Sequence, residues 1–327
     1  MSDSKISFYD ALNATTDIAR VITARPMGCD IATQQSQRSS LLTLIPPAPH
    51  TFTGTRPSKS PDIRRFCPGG HDNQVIGMCT GKGGRNACGT LVRIPEGADS
   101  NSKPLPTIRF SGLFNYYNAR WIARDHGNGS GGEGAVPAYM MIGMQKYGVI
   151  TEEWCDDSDA SQNAYSDRRK PSSPKGDIYA EAAKHLVIQC ARITSGDQVL
   201  DYLGAGFPIV IGKPIPQGYM QTADDGRFTL NGRTVGGHCT VIVDYDEKLN
   251  QIWERGSWEG WGQKTADPEF ADEGGRNVLG YCNLDEYKAR HLSTQAFQSG
   301  ETDAFVINVI DGFEKPKIVT ISPGETF

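Results

Sequence analysis

The chain has 327 residues, 38% hydrophobic and 22% charged, with 33 basic against 38 acidic side chains and a net charge of −5. That balance fits a globular protein with a sizeable core and excludes the electrostatic footprint of a nucleic-acid or anionic-membrane binder. No stretch approaches the roughly 20 apolar residues that span a bilayer, and Met1–Val21 lacks the basic-then-apolar pattern of a secretory signal. A cytoplasmic or particle-associated protein is expected.

Eight cysteines, at 29, 67, 79, 88, 155, 190, 239 and 282, are spread along the chain with no C-x-x-C pair. A structural zinc site is therefore not expected, nor any other metal or cofactor, and most of these residues read as buried free thiols.

In chain order, a short helix is expected near Phe8–Val21. The run from Thr33 to Ser60, rich in Gln, Ser, Thr and Pro and including Pro46-Pro47-Ala48-Pro49, reads as extended, because such a composition buries little. Residues 1–60 are thus expected as a polar arm or leader. A flexible leader, or a docking arm that attaches the chain to a larger assembly, ranks ahead of a prosegment. A globular domain is expected over 61–312, with a tail over 313–327.

Within that domain, Phe110, Leu113, Phe114, Tyr117, Trp121 and Ile122 fall at helical spacing. After the Gly-rich stretch 127–134, a second helix opens at Pro137, carries Met140, Met141 and Met144 as core filler, and stops at Gly148. A third is expected over 177–191, and a fourth opens on the capping-box pattern Ser195-Gly196-Asp197-Gln198. Strands are then expected at Pro208–Gly212, at Arg227–Thr234 folded about Asn231-Gly232, at Thr240–Tyr245, at Ile252–Glu254 and at Phe305–Ile310. Helices first and antiparallel strands later predict an α+β fold with a cleft between its two parts.

Nucleophilic hydrolysis by a thiol needs a Cys at a turn entering a helix, an amide donor just before it, and a distant His to hold the proton. Cys79 in Asp72-Asn73-Gln74-Val75-Ile76-Gly77-Met78-Cys79 meets the first two needs. His238, after Gly236-Gly237 and before an alternating apolar run, meets the third. Cys88 is the competing thiol but lacks the Gly-x-Cys context. His50, His71, His126, His185 and His291 have no motif around them. Asp156, Asp157, Asp159 and Glu152–Glu153 read as a solvated acidic loop, and Gly81–Gly84 with Lys82 lacks the spacing of a phosphate loop.

Together these segments resemble the papain-like cysteine peptidases, particularly their divergent bacterial and phage members. The family's Asp-Gln-Gly-x-x-Gly-Ser-Cys is similar to Asp72–Cys79. Its Gly-Gly-His with a following Gly-Tyr-Asp is similar to Gly236–His238 and Val243–Asp246. Its Asn-Ser-Trp-Gly-x-x-Trp-Gly is similar to Gly256–Gly262, and Asp62-Ile63-Arg64 resembles the opening of the mature domain. The likeness covers about 61–310 in the right order, and His238 follows Cys79 by 159 residues, slightly beyond the about 130–150 of this arrangement. It implies a helical part and an antiparallel β-barrel-like part flanking the cleft.

The resemblance also implies a cysteine peptidase acting on a peptide or protein substrate, including bacterial cell-wall peptides. Cys79 would be its nucleophile, His238 its base, and Asn73 or Gln74 its oxyanion donor. Three departures stand out. The oxyanion position is Asn73, with Gln74 beside it. Three glycines in Thr80–Gly84, each unfavourable by roughly 1 kcal/mol in a helix interior, predict a helix starting only near Arg85. The position of the family's histidine-orienting Asn is Gly256, which implies a slow enzyme that Gly256→Asn would speed up. The rival reading is a catalytically weak or inactive domain serving as an attachment component of an assembly such as a phage particle.

Overall fold

The computed structural model describes residues 27–49, 55–69, 73–96, 98, 101–125, 133–164, 170–267 and 275–313. The helix expected near Phe8–Val21, His50, His71, His126 and the tail from 314 lie outside them.

The polar run does not stay extended. Asp30 caps Ile31–Ser36 (α1) by accepting the Thr33 amide at 3.0 Å, and Arg38–Leu44 (α2) follows. Leu41 and Ile45, one helical turn apart, enter the core with Ala48. Main-chain bonds fix the exit, with Arg192 donating to the Pro46 carbonyl at 2.9 Å and Ala48 to the Arg192 carbonyl at 2.7 Å. The buried Gln34 amide donates to the Gly300 carbonyl at 2.7 Å. The expected arm over 1–60 is therefore corrected for residues 27–49. A few apolar residues on one face, plus side chains that satisfy distant carbonyls, suffice to dock a segment that composition alone reads as solvated.

Cys79–Arg93 (α3) is helical from its first residue and not from Arg85. Its glycines are the price of close neighbours. A Cβ at Gly81 would lie 2.1 Å from the Gly112 carbonyl oxygen, at the start of Gly112–Asp125 (α4). One at Gly84 would lie 2.3 Å from the Met140 sulfur, in Pro137–Tyr147 (α5). One at Gly83 would meet the Cys239 sulfur at 2.8 Å. Tertiary packing outweighs the propensity deficit. Helices α4 and α5 lie where their spacing, Pro137 and Gly148 placed them.

Asp157 is not in a solvated loop. It is buried, accepts from Ser111 Oγ at 2.7 Å and from the Gly112 and Leu113 amides at 2.7 and 2.9 Å, and pairs with Lys82 and Arg85 at 3.2 Å each. Burial pushes its carboxyl up, but those two cations and the hydrogen bonds outweigh it and hold the pKa below the ordinary value. One carboxylate thus caps α4 and ties it to α3. A short helix, Asp159–Ala164 (α6), follows.

The expected helix over 177–191 splits. Ile178–Ala182 (α7) is helical, whereas Val187–Ile193 (β1) is a strand. Its β-branched residues sit best on a pleated surface, and a strand partner is at hand. Gly196–Gly204 (α8) is capped by Ser195 Oγ, which accepts the Gln198 amide at 3.3 Å. The remaining elements are Ile209–Pro216 (β2), Thr234–Asp246 (β3), Gln251–Arg255 (β4), Leu279–Asn283 (β5), Leu284–His291 (α9), Thr294–Ser299 (α10) and Asp303–Ile310 (β6). β5 went unread in the sequence.

The hairpin expected about Asn231-Gly232 does not form. Gln217 donates to the Arg233 carbonyl and Gly218 to the Asn231 carbonyl, at 3.0 and 3.1 Å, while Phe228 donates to the Tyr281 carbonyl at 2.9 Å. The segment pairs with its neighbours and not with itself. Among the described residues the strands form one antiparallel sheet in the order β1-β6-β2-β3-β4-β5. Helix α3 packs against β3 and β2 of this sheet, so the N-terminus of α3 meets the start of β3. The expected α+β architecture, a helical part beside an antiparallel one, is what the chain adopts.

Candidate active site

Cys79 is the first residue of α3, where unpaired helix amides and the helix dipole favour a negative charge. Its sulfur accepts a hydrogen bond from the Cys239 amide at 3.3 Å. Cys239 directly follows His238 on β3, so the thiol and the imidazole-bearing residue meet where the helix N-terminus touches the sheet. Consecutive Cα atoms are only 3.8 Å apart. Both residues are 0% exposed. Burial pushes the Cys79 thiol up to about 11, although the amides of Cys239, Gly28 and Thr80 pull the other way. In this closed state the thiol stays protonated at neutral pH. Cys88 lies deeper in α3, and burial pushes its thiol up as well.

The His238 ring stacks on Trp258, with centroids 3.9 Å apart and planes 17° apart. Tyr219 meets the same ring edge-on at 6.0 Å. Beneath them lies a buried polar cluster. Lys213, the cross-strand partner of His238, pairs with Glu254 at 2.7 Å and donates to Thr240 Oγ1 at 2.9 Å. Glu254 also accepts from the Tyr219 hydroxyl at 2.8 Å and from the Tyr287 hydroxyl.

Of the two amide candidates, Gln74 is buried and its Oε1 accepts from Ser257 Oγ at 2.7 Å, which leaves Nε2 as its donating end. Asn73 is half-buried, and its carbonyl accepts from Gln162 Nε2 at 3.1 Å. At Gly256, a Cβ would sit 2.8 Å from Trp261 Cε3 and 3.0 Å from Cζ3. Trp261 fills the space an orienting side chain would need. Its ring stacks on Tyr219 at 5.2 Å, and its indole N–H donates to the Tyr219 carbonyl at 2.9 Å. Gly256→Asn should therefore lower stability by about 1–3 kcal/mol through overpacking, read as an earlier urea midpoint, and should not speed catalysis. This replaces the gain expected from the sequence.

What covers the thiol was not expected from the residues. Residues 27–31 run between the rim at Gly77 and the rim at Gly236-Gly237. The Cys29 amide donates to the Gly237 carbonyl at 3.3 Å, Ala135 to the Gly28 carbonyl at 2.8 Å, and Asp30 to the Ala135 carbonyl at 3.1 Å. Thr80 Oγ1 reaches the Gly28 and Ala135 carbonyls at 3.3 and 3.0 Å. The only legible sign was the Gly236-Gly237 pair, which marks a close main-chain approach.

Neither a protein-family model nor a curated protein matches the sequence. Solved structures do match the shape. The proform of Amb a 11, a cysteine protease and ragweed pollen allergen, aligns with a TM-score of 0.53 at 14% identity, over 92% of this chain and 79% of the other. Procathepsin B S9 from Trypanosoma congolense aligns with 0.52 at 12% identity, over 86% of each chain. Digestive procathepsin L 3 of Tenebrio molitor larvae aligns with 0.51 at 12% identity, over 89% and 78%. The fold is papain-like. In this fold Cys79 stands at the start of α3 and His238 on β3, on the helical and the sheet side respectively.

Proposed function

We propose that this chain is a cysteine peptidase whose site is shut by its own N-terminal segment. The observation that carries the reading is the 3.3 Å contact from the Cys239 amide to the Cys79 sulfur, which brings a helix-N-terminal thiol to the residue next to His238 within a papain-like fold. His238 takes the Cys79 proton, and the thiolate attacks the peptide carbonyl carbon. The oxyanion is met by the Gln74 Nε2 amide or by Asn73, together with amides at the start of α3. Collapse expels the amine, which takes its proton from the imidazolium. Water, deprotonated by His238, then releases the acid from the thioester. Trp258 stacking and Tyr219 keep the imidazole plane fixed where Gly256 offers no side chain. Peptides, including the peptide stems of bacterial cell walls, are the substrate class.

Residues 27–30 do not act as a substrate in this state. The Gly28 carbonyl is turned to Ala135 and Thr80. With that carbonyl oxygen so engaged, the segment closes the site without being cut.

The test is hydrolysis of a mixed peptide pool by the full chain and its variants. Cys79→Ala and His238→Ala should each abolish it with the fold intact, and Cys88→Ala should leave it nearly unchanged. Loss in Cys88→Ala with activity kept in Cys79→Ala would overturn the assignment.

A second reading is favoured by the sealed thiol and by Trp261 at the Gly256 position. In it the domain is a non-catalytic attachment component of a larger assembly. That reading predicts no hydrolysis by any form of the chain.

A further inference from the structure

Four glycines collar the segment that crosses Cys79. A Cβ added at Gly77 would lie 3.1 Å from the Met27 carbonyl oxygen and 3.2 Å from Gly28 Cα. At Gly134 it would lie 3.2 Å from the Gly28 carbonyl oxygen, at Gly236 2.1 Å from the Met27 sulfur, and at Gly237 2.1 Å from the Cys29 carbonyl oxygen. The occupant is equally bare at its centre. A Cβ on Gly28 itself would fall 1.8 Å from the Gly77 carbonyl oxygen, and that atom is rigid backbone.

Small walls alone would mark only tight packing. Here the gap also holds a chain, bonded through its main chain to Ala135 and Gly237 and accepting at the Gly28 carbonyl from Thr80 Oγ1, the residue next to Cys79. The walls therefore report the thickness of what the cleft admits at that point. It is one main chain and nothing more.

We propose that the cleft over Cys79 is gauged for glycine: the residue that a bound chain seats against the thiol must lack a side chain, in the covering segment and in the substrate alike. The substrate half rests on the peptidase reading. A substrate places its carbonyl carbon where the segment now lies, between the same Gly77 and Gly236-Gly237 walls. The class so defined is peptides with glycine at the scissile position, and Gly77 is the specificity-determining residue. Flanking positions are broader, since Met27 packs on Gly236 and Ile31 on Gly237.

The experiment reads the alkylation rate of Cys79 by iodoacetamide in the folded full chain. Gly28→Ala should accelerate it at least about tenfold, because the added methyl cannot share the gap with the Gly77 carbonyl. A second variant, Gln34→Ala, loosens the segment from its far anchor at Gly300 and leaves Gly28 intact, which keeps the test open if Gly28→Ala fails to fold. To whichever variant is open, a synthetic peptide of residues 27–30 with Cys29→Ser is added. It should protect Cys79, and the same peptide carrying Gly28→Ala should not. Protection by both peptides or by neither, or a Gly28→Ala chain as slow as wild type, overturns the proposal. Peptide substrates with glycine or alanine at the scissile position then separate the two claims. Discrimination in protection without any hydrolysis sinks the peptidase reading and leaves the gauge standing, whereas equal hydrolysis of both substrates sinks the gauge.

Discussion

A chain that begins at residue 50 should lose most of its stability and aggregate, although composition marks its first 60 residues as a dispensable arm. Leu41 and Ile45 are 1% and 0% exposed, and burial of such a side chain contributes about 1.5–3 kcal/mol. Removal would also uncover the core beneath them and strip Arg192 of both its main-chain partners, the Pro46 carbonyl and the Ala48 amide. The Gly300 carbonyl and the buried Asp303 would lose Gln34 and Arg38. Against a total stability of about 5–15 kcal/mol for a domain, losses on this scale are decisive. Urea unfolding of the truncated and full chains checks this. A truncated domain within about 1 kcal/mol of the full chain would show that α1 and α2 rest on the core without supporting it. The same packing means that opening of the site is local, with residues 27–30 swinging out while α1 and α2 stay docked.

The second large effect is expected at Lys213. Its ammonium and the Glu254 carboxylate are both 0% exposed and lie 2.7 Å apart. Removing one partner of such a pair leaves an uncompensated buried charge and is destabilising by about 3–5 kcal/mol. Lys213→Met should therefore lower the urea midpoint sharply. Lys213→Met with Glu254→Leu should recover much of the loss, because the apolar pair leaves no lone charge. Two hydroxyls, of Tyr219 and Tyr287, also converge on Glu254, so the double variant should be completed with Tyr219→Phe and Tyr287→Phe. A single variant as stable as wild type would mean that water reaches the pair. Since Tyr219 bears on the His238 ring, the single variant should also slow Cys79 alkylation in an opened chain.

Much of this was legible from residues alone. Helix α4 followed from its apolar spacing, α5 from Pro137 and Gly148, and the strands β2, β3, β4 and β6 from alternation and β-branched runs. The order of the motifs around Cys79, His238 and Trp258 was enough to predict the papain-like fold. What escaped was decided by tertiary contact. Residues 187–191 fall inside the stretch expected as helix over 177–191, and only the pairing with β6 makes Val187–Ile193 a strand. The glycines of α3 look like helix breakers until Gly112, Met140 and Cys239 are seen pressing on them. Asp157 looks solvated until Lys82 and Arg85, some seventy residues earlier, close on it. Met27–Asp30 carries no recognisable motif, and its place over the thiol is set by main-chain bonds and by a single glycine, Gly28, whose need for a bare Cα appears only when the Gly77 carbonyl is seen against it.

The most direct test of the central claim is mass mapping of a thiol-directed epoxide on the folded full chain opened by Gly28→Ala, with and without His238→Ala. Among eight buried thiols, the account predicts a single adduct, on Cys79, formed rapidly at neutral pH. It should be absent or strongly slowed once His238 is gone. An adduct spread over several cysteines, or one on Cys79 that forms equally fast without His238, would contradict it.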